Sequence, residues 1–210
     1  KQRNQFLKQA RFKNDYDKIY LDVLTEQLAT EAAEVLYARF KFVNQLSDLA
    51  DAVQKDISNE KETLMIRYKT SSSADETMTV EEIFNHLQED YEKNHAQEVD
   101  QGTTIIGPHR DDLIFYVNER NGQTNGCEGQ QRTTALSLKL AEIELMREMT
   151  GEYPILLLDD VLSELDDSRQ THLLKSIQNK VQTFITTTSL DGVQMDLLND
   201  PFIFYVEEGS

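Results

Sequence analysis

Apolar residues recur at helical spacing through much of the first hundred residues of the chain. They lie three or four positions apart in Leu21–Leu36 and again in Val43–Ile57, and charged residues occupy the opposite faces. No Gly precedes Gly102 and no Pro precedes Pro108, and the lack of both helix breakers favours long helices. The pattern predicts one or two amphipathic helices over Asp15–Ser58, the two-helix form being a coiled-coil-like hairpin.

A strand and a further helix are predicted next. Thr63–Ser72 alternates polar and apolar residues, which is typical of a strand. Thr79 with Glu82 three positions later forms the pattern of a capping box, so we expect a helix over Val80–Asn94. The charge-rich segment Glu89–Gly102 is expected to lead out to the surface.

Short apolar runs alternate with amphipathic segments in the second half of the chain. The predicted strands are two within Thr103–Asn118 around a Gly-Pro turn, a buried strand at Tyr153–Asp160, then Val181–Ser189 and Pro201–Gly209. The predicted helices are one that opens at Gly129 and ends at Gly151, and Asp166–Lys180 with Asp166 as its N-cap. This alternation predicts an α/β fold with a mainly parallel sheet over residues 102–210, after a mostly helical arm over residues 1–101.

Composition and charge narrow the classes of function. The chain has 210 residues, of which 39% are hydrophobic, and a net charge of −17, which argues against broad nonspecific nucleic-acid binding because phosphates would be repelled. Its single cysteine, Cys127, fits a reducing cytoplasm, and no apolar run approaches the about 20 residues of a membrane span. One basic cluster near the N-terminus would either contact DNA phosphates or form a solvated helix face. Its members are Lys1, Arg3, Lys8, Arg11 and Lys13.

The segment Ile155–Asp166, ILLLDDVLSELD, carries the most informative carboxylates. Ligands of α/β proteins bind at the carboxyl ends of parallel strands. Asp159 could hold Mg²⁺ there, since this ion prefers one or two carboxylates together with phosphate oxygens and water. Asp160 could orient or polarise an attacking water. Taken alone, the pattern equally fits a strand or helix cap followed by a surface acid.

Three other segments accompany these carboxylates in a fixed order. Gly126–Leu145 is a glycine-rich turn that leads into a helix, where free amide groups and the helix dipole attract anions. The side chains of Gln130–Arg132 add donors in its first turn. SELD at Ser163–Asp166 follows the carboxylates, and FITTT at Phe184–Thr188 ends the next strand. The four together are much more specific than any one.

This order resembles the signature, Walker B, D-loop and switch motifs of ABC-type ATPase heads in the branch that includes SMC and Rad50 proteins. Gly107–Asp112, Gly129–Leu145 and Ile155–Asp166 most resemble the RecF family of bacterial DNA replication and repair proteins, and Leu21–Leu28 is similar to its helical insertion. The resemblance covers nearly the whole chain. It implies the second lobe of a P-loop NTPase head of ABC type with a largely α-helical insertion domain.

The resemblance implies an ATP-dependent DNA-binding clamp. Two heads would dimerise head to tail, with ATP and Mg²⁺ held between the Walker motifs of one protomer and the signature of the other. Such proteins prefer junctions of single-stranded and double-stranded DNA, act with RecO- and RecR-type mediators to load recombinase at gaps, and hydrolyse ATP slowly. No residue of this chain is assigned to DNA.

The family's site residues carry over to particular positions of this sequence. Asp159 would serve Mg²⁺, and Asp160 would be catalytic. The signature residues that would contact the nucleotide of the other protomer are Gly126, Cys127, Gly129 and Gln130. The D-loop residues at the dimer interface would be Ser163 and Asp166. The switch residue, often His in ABC proteins, would be Thr187 or Thr188.

Two features depart from the family pattern. No GxxxxGK[ST] phosphate loop occurs in the chain, and the family places this loop in a preceding lobe. We therefore expect a C-terminal piece of a slow DNA-dependent ATPase, with half of each ATP site and negligible activity alone. Cys127 and Glu128 replace the family's Ser and Gln; a thiol is a weaker donor, and a carboxylate repels a triphosphate unless it points away.

Two other functions are alternatives. The chain could be a non-catalytic interaction module whose helices bind recombination mediators, and partner binding without ATP by the helical half would favour this. It could also be an SMC- or Rad50-like chromosome ATPase head. That function requires long coiled-coil arms, and the segment before the signature is too short for them.

Overall fold

The computed structural model describes residues 1–12, 15–121, 128–190, 193, 195–198 and 200–206. The helices are α1 (Gln2–Ala10), α2 (Lys18–Ser58), α3 (Val80–Gln101), α4 (Glu128–Thr150) and α5 (Asp167–Ile177), with short 3₁₀ helices at Val161–Glu164 and Met195–Leu197. The strands are β1 (Leu64–Lys69), β2 (Asp112–Val117), β3 (Arg120–Asn121), β4 (Leu156–Asp159) and β5 (Thr183–Thr186).

The described strands form two sheets. One has the order β1-β2-β3, with β2 and β3 antiparallel, and the other is the parallel pair β4-β5, in which Leu157 lies opposite Phe184. The chain forms two compact units that are interleaved in sequence. The first unit is Lys1–Gln45 with Ile66–Phe115, and the second is Leu46–Met65 with Tyr116–Ser210. The division into an arm over residues 1–101 and a lobe over residues 102–210 stays a prediction.

The long amphipathic pattern near the N-terminus forms one helix, α2, of 41 residues, so the hairpin alternative is not realised. In the first unit its apolar face packs with α3 and the segment that follows α3. The buried residues of this core are Ala29, Ala32, Ala33, Leu36, Phe40, Ala74, Ile83, Leu87, Tyr91 and Ile106. In the described part of the chain, no helix combines the length and the apolar character that crossing a membrane requires.

Helix α3 begins as predicted but ends later than predicted. Thr79 accepts a hydrogen bond from the Glu82 backbone N–H, and the Glu82 carboxylate accepts one from the Thr79 N–H, which completes the capping box. The helix continues to Gln101, and Gly102 ends it in the left-handed conformation with φ 66°. The expectation that Glu89–Gly102 leads out to the surface is wrong, because Glu98 is fully buried.

The basic cluster near the N-terminus is not a continuous solvated surface. The Arg3 side chain is buried and donates to Glu98 Oε2 at 2.5 Å, to the Thr104 hydroxyl at 2.7 Å and to the Thr25 hydroxyl at 2.9 Å. The guanidinium N–H groups of Arg3 are thus already bound within the protein, and a contact with DNA phosphates would need the same donors. Arg3 therefore fixes α1 to α3, and the DNA interpretation of the cluster is wrong at this residue. Lys13 lies outside the described residues.

The predicted pair of strands within Thr103–Asn118 is only one strand, β2, preceded by a turn. Within that turn, the Asp111 carboxylate accepts hydrogen bonds from the Ser71 N–H and the Tyr68 hydroxyl, each at 2.8 Å. Burial raises the pKa of Tyr68 to about 12, so this hydroxyl remains a donor at neutral pH. Side-chain hydrogen bonds to Asp111, rather than strand pairing, therefore connect this turn to Tyr68 and Ser71.

In the second unit, helices α4 and α5 cover one face of the β4-β5 sheet. The buried core residues are Ile57, Leu136, Leu140, Ile143, Leu158, Leu162, Leu173, Leu174 and Ile177. The other face is open, with Leu157 73% exposed and Phe184 56% exposed. The prediction of a buried strand at Tyr153–Asp160 is therefore correct for only one face. Pro201–Val206, predicted as part of a last strand, has no regular secondary structure.

Candidate nucleotide-binding half-site

Asp159 lies at the carboxyl end of β4 and is held by the neighbouring strand. The parallel register places Asp159 opposite Thr186, the last residue of β5. The Thr186 hydroxyl donates a hydrogen bond of 2.5 Å to Asp159 Oδ1. Asp159 is exposed at this end of the sheet, so a hydrated ion can approach its second carboxylate oxygen.

Asp160 leaves the strand in a different direction from Asp159. Its φ is 51°, in the left-handed region that residues other than Gly and Asn adopt rarely. Its backbone N–H donates to both the carbonyl and the hydroxyl oxygen of Thr186, each at 3.1 Å. The chain therefore leaves the strand at Asp160, directly after Asp159.

Thr186, which is not among the predicted site residues, is the threonine that contacts Asp159. The segment FITTT contains three threonines, of which Thr187 and Thr188 are the predicted switch residues. In the structure the Thr187 hydroxyl donates to the Ser189 carbonyl at 2.7 Å, whereas Thr186 contacts Asp159. No pattern in the sequence identifies Thr186, because the residue opposite Asp159 depends on the register between β4 and β5. The assignment of the switch to Thr187 or Thr188 stays a prediction.

The signature segment begins α4, as the sequence predicted. Gly129 and Gln130 lie in its first turn, and the Gln130 amide donates to Glu62 Oε1 at 3.0 Å. Glu62 also accepts from Gln54, a fully buried side chain that the Ser137 hydroxyl contacts in turn. Gly126 and Cys127 lie outside the described residues.

The D-loop segment ends at Asp166, which is the N-cap of α5. Asp166 Oδ1 accepts the Arg169 backbone N–H at 2.9 Å, and Oδ2 pairs with the Arg169 guanidinium. Ser163 lies in the preceding 3₁₀ helix, and its side chain is outside the described part of the structure. The structure therefore brings Asp159 together with Thr186, and Asp166 together with the first turn of α4 through Arg169.

A magnesium ion would depend on the nucleotide for most of its ligands. Among the described residues, no three His, Cys, Asp or Glu side chains group closely enough to bind a metal by themselves. Asp159 supplies one oriented carboxylate, and Mg²⁺ commonly takes one or two carboxylates and completes its shell with phosphate oxygens and water. The donor set fits a nucleotide-borne Mg²⁺.

Sequence comparison gives relatives over the whole chain. No protein-family model matches it. The DNA replication and repair protein RecF of Pediococcus pentosaceus is 55% identical over 209 residues, and that of Limosilactobacillus reuteri is 53% identical over 210 residues. Each alignment covers 100% of this chain and 56% of the relative. The chain thus spans little more than half the length of these relatives.

Solved structures agree with the sequence comparison. The recombination mediator protein RecF in the RecFOR pathway, solved as RecF-ATPrS, superposes with a TM-score of 0.81 at 33% identity, covering 90% of this chain and 50% of that one. The RecF-ATP structure gives 0.80 at the same identity. The α/β lobe, its motif order and these comparisons agree, and the chain is similar over its whole length to part of the RecF proteins.

Proposed function

We propose that the protein carrying this chain is a cytoplasmic, ATP-dependent DNA-binding clamp of RecF type, which acts at single-strand gaps and junctions to help load recombinase. This chain supplies the Walker B and signature half of the ATP site. The observation that carries the proposal is the Asp159–Thr186 pair at the carboxyl end of a parallel sheet. It occurs in a chain 55% identical to a RecF protein.

Asp159 and Asp160 divide the chemistry of hydrolysis in this proposal. Asp159 would hold Mg²⁺, with its carboxylate oriented by the Thr186 hydroxyl. The ion would neutralise charge that develops on the phosphate. Asp160, turned away by its left-handed backbone, orients and polarises the attacking water.

The start of α4 acts on the nucleotide of the other protomer in a head-to-tail homodimer. Gly129 and Gln130, with Gly126 and Cys127 before them, present the positive end of the helix to the triphosphate. Ser163 and Asp166 belong to the same dimer-facing surface, and Thr187 or Thr188 serves as the switch. Two related structures, RecF-ATPrS and RecF-ATP, support a nucleotide-dependent role.

The proposed partners are junctions of single-stranded and double-stranded DNA and RecO- and RecR-type mediators. Support comes from a structural relative that is described within the RecFOR pathway. The net charge of −17 makes this chain a poor phosphate-binding surface. We therefore place the main DNA contact outside these residues.

Replacing Asp160 tests the proposal. In a full-length RecF protein that carries this chain, Asp160→Asn should slow ATP hydrolysis by about 100-fold or more, because a positioned acid–base group contributes that much. The ATP-bound dimer should then persist, as light scattering after gel filtration with Mg-ATP would show. Glu152→Gln, at an exposed acid outside the site, is the matched control. Rapid dimer dissociation with normal hydrolysis would contradict the assignment.

A further inference from the structure

One side chain, Arg169, connects the signature helix to the D-loop within the second unit. It lies in the first turn of α5. Its Nη2 donates to the Gly129 carbonyl at 2.9 Å and its Nε to the Thr133 hydroxyl at 2.9 Å, while Nη1 pairs with Asp166 Oδ2. The side chain is 21% exposed, so most of the guanidinium is withdrawn from solvent.

The first turn of α4 and Arg169 form a closed ring of hydrogen bonds. The Thr133 hydroxyl, which accepts from Arg169, itself donates to the Gly129 carbonyl at 2.9 Å. Thr133 is buried, so this ring has little access to competing water. A Cβ added to Gly129 would lie 3.4 Å from Arg169 Nη2, tighter than most side-chain contacts. The guanidinium thus lies directly against the glycine of the signature.

Asp166 is also committed to Arg169. One carboxylate oxygen accepts the backbone N–H of Arg169 and the other pairs with its guanidinium. Both oxygens of Asp166 therefore have a partner within their own protomer, which fixes the end of the D-loop to the start of α5.

We propose that Arg169 is a positioning residue that holds the first turn of α4 against the D-loop. The two segments then form a single surface that contacts the nucleotide of a second protomer. The proposal rests on the head-to-tail site proposed above. Arginine suits this task because its planar fork reaches three acceptors at fixed angles, which a lysine ammonium cannot do.

The test uses full-length RecF protein carrying this chain, with Arg169→Gln and Arg169→Lys. Both variants should bind Mg-ATP as monomers with unchanged affinity, because Arg169 contacts the signature and D-loop segments, whereas the proposed site of the same protomer uses Asp159. In both variants the rate of ATP hydrolysis and the affinity of ATP-dependent dimerisation should fall about 10- to 100-fold, the usual effect of removing a residue that orients a site. Loss of monomer ATP binding, or wild-type hydrolysis by Arg169→Lys, would overturn the proposal.

Heterodimers of two variant proteins distinguish a positioning role of Arg169 from general damage to the fold. Arg169→Gln mixed with Asp160→Asn should hydrolyse ATP several-fold faster than the sum of the two alone, because each heterodimer has one site built from two intact halves. Gly129→Asp mixed with Asp160→Asn is the control pair, since a carboxylate at Gly129 repels the triphosphate. Recovery in the control pair alone overturns the role of Arg169. Absence of recovery in both pairs overturns the head-to-tail site and this proposal with it.

Discussion

At the scale of single residues, the site depends on a threonine that belongs to the neighbouring strand. Asp159 has its carboxylate oriented by the Thr186 hydroxyl, and Asp160 has its backbone N–H bound to the same residue. One residue therefore holds both the Asp159 carboxylate and the backbone turn at Asp160, the two acids proposed for metal binding and catalysis. Residues behind a metal ligand often matter almost as much as the ligand itself.

Thr186→Val should weaken the use of Mg²⁺ while leaving the fold intact, because Thr186 is exposed and valine is nearly isosteric. We expect ATP hydrolysis by the full-length protein to fall about 10- to 100-fold and the Mg²⁺ concentration for half-maximal rate to rise. Thr186→Ser keeps the hydroxyl and is the control. Equal Mg²⁺ dependence in the valine and serine variants would show that the hydrogen bond has no functional role.

The ion pair between Arg3 and Glu98 should be important for stability, because both side chains are buried, at 6% and 0% exposure. Arg3→Met leaves Glu98 as an unpaired buried charge and should cost about 3–5 kcal/mol in the free energy of unfolding. Lys18→Ala, at an exposed position of α2, should change it by less than about 0.5 kcal/mol. Urea denaturation measures both. An Arg3→Met loss as small as that of the control would contradict the assignment.

At the scale of elements, the start of α3 follows from local sequence. Thr79 and Glu82 satisfy each other's backbone N–H groups, and the pattern that predicts this lies within four residues. Asp166 similarly caps α5 as predicted. Helix starts were predictable because a cap and its partner are neighbours in sequence.

The capping box should make the stability of the first unit depend on pH. The backbone N–H of Thr79, and then its hydroxyl, hold the pKa of Glu82 below its ordinary value of 4.5. A carboxyl with a lowered pKa stabilises the fold above pH 4.5, and this contribution disappears as pH falls through the folded-state pKa. The stability difference between wild type and Glu82→Gln should therefore shrink below pH 4.5. A difference that stays constant from pH 7 to pH 3 would contradict this account.

The end of α3 was not predictable from local sequence. Charged residues in Glu89–Gly102 indicated a surface segment, yet Glu98 is buried because Arg3, 95 positions earlier, neutralises it. Burial of a charge depends on a partner, and no pattern within the helix reveals one so distant. The turn at Asp111 is similar, since its acceptors are filled by Tyr68 and Ser71.

At the scale of the whole molecule, the order of the motifs predicted the fold better than composition did. The start of α4 next to Gly129, the end of β4 at Asp159 and the Asp166 cap of α5 all lie where the sequence pattern predicted them. The sequence could not distinguish which threonine meets Asp159, nor that Arg169 joins two motifs. Both depend on how separate elements pack.

We propose that these residues hold half of an ATP site and no phosphate loop. Calorimetric titration of the 210-residue chain with Mg-ATP is the decisive test. We expect no heat of binding at high micromolar nucleotide, because Asp159 alone cannot replace a glycine-rich phosphate loop and its lysine. Clear one-to-one binding would reveal a complete phosphate site within the chain and would contradict the half-site assignment.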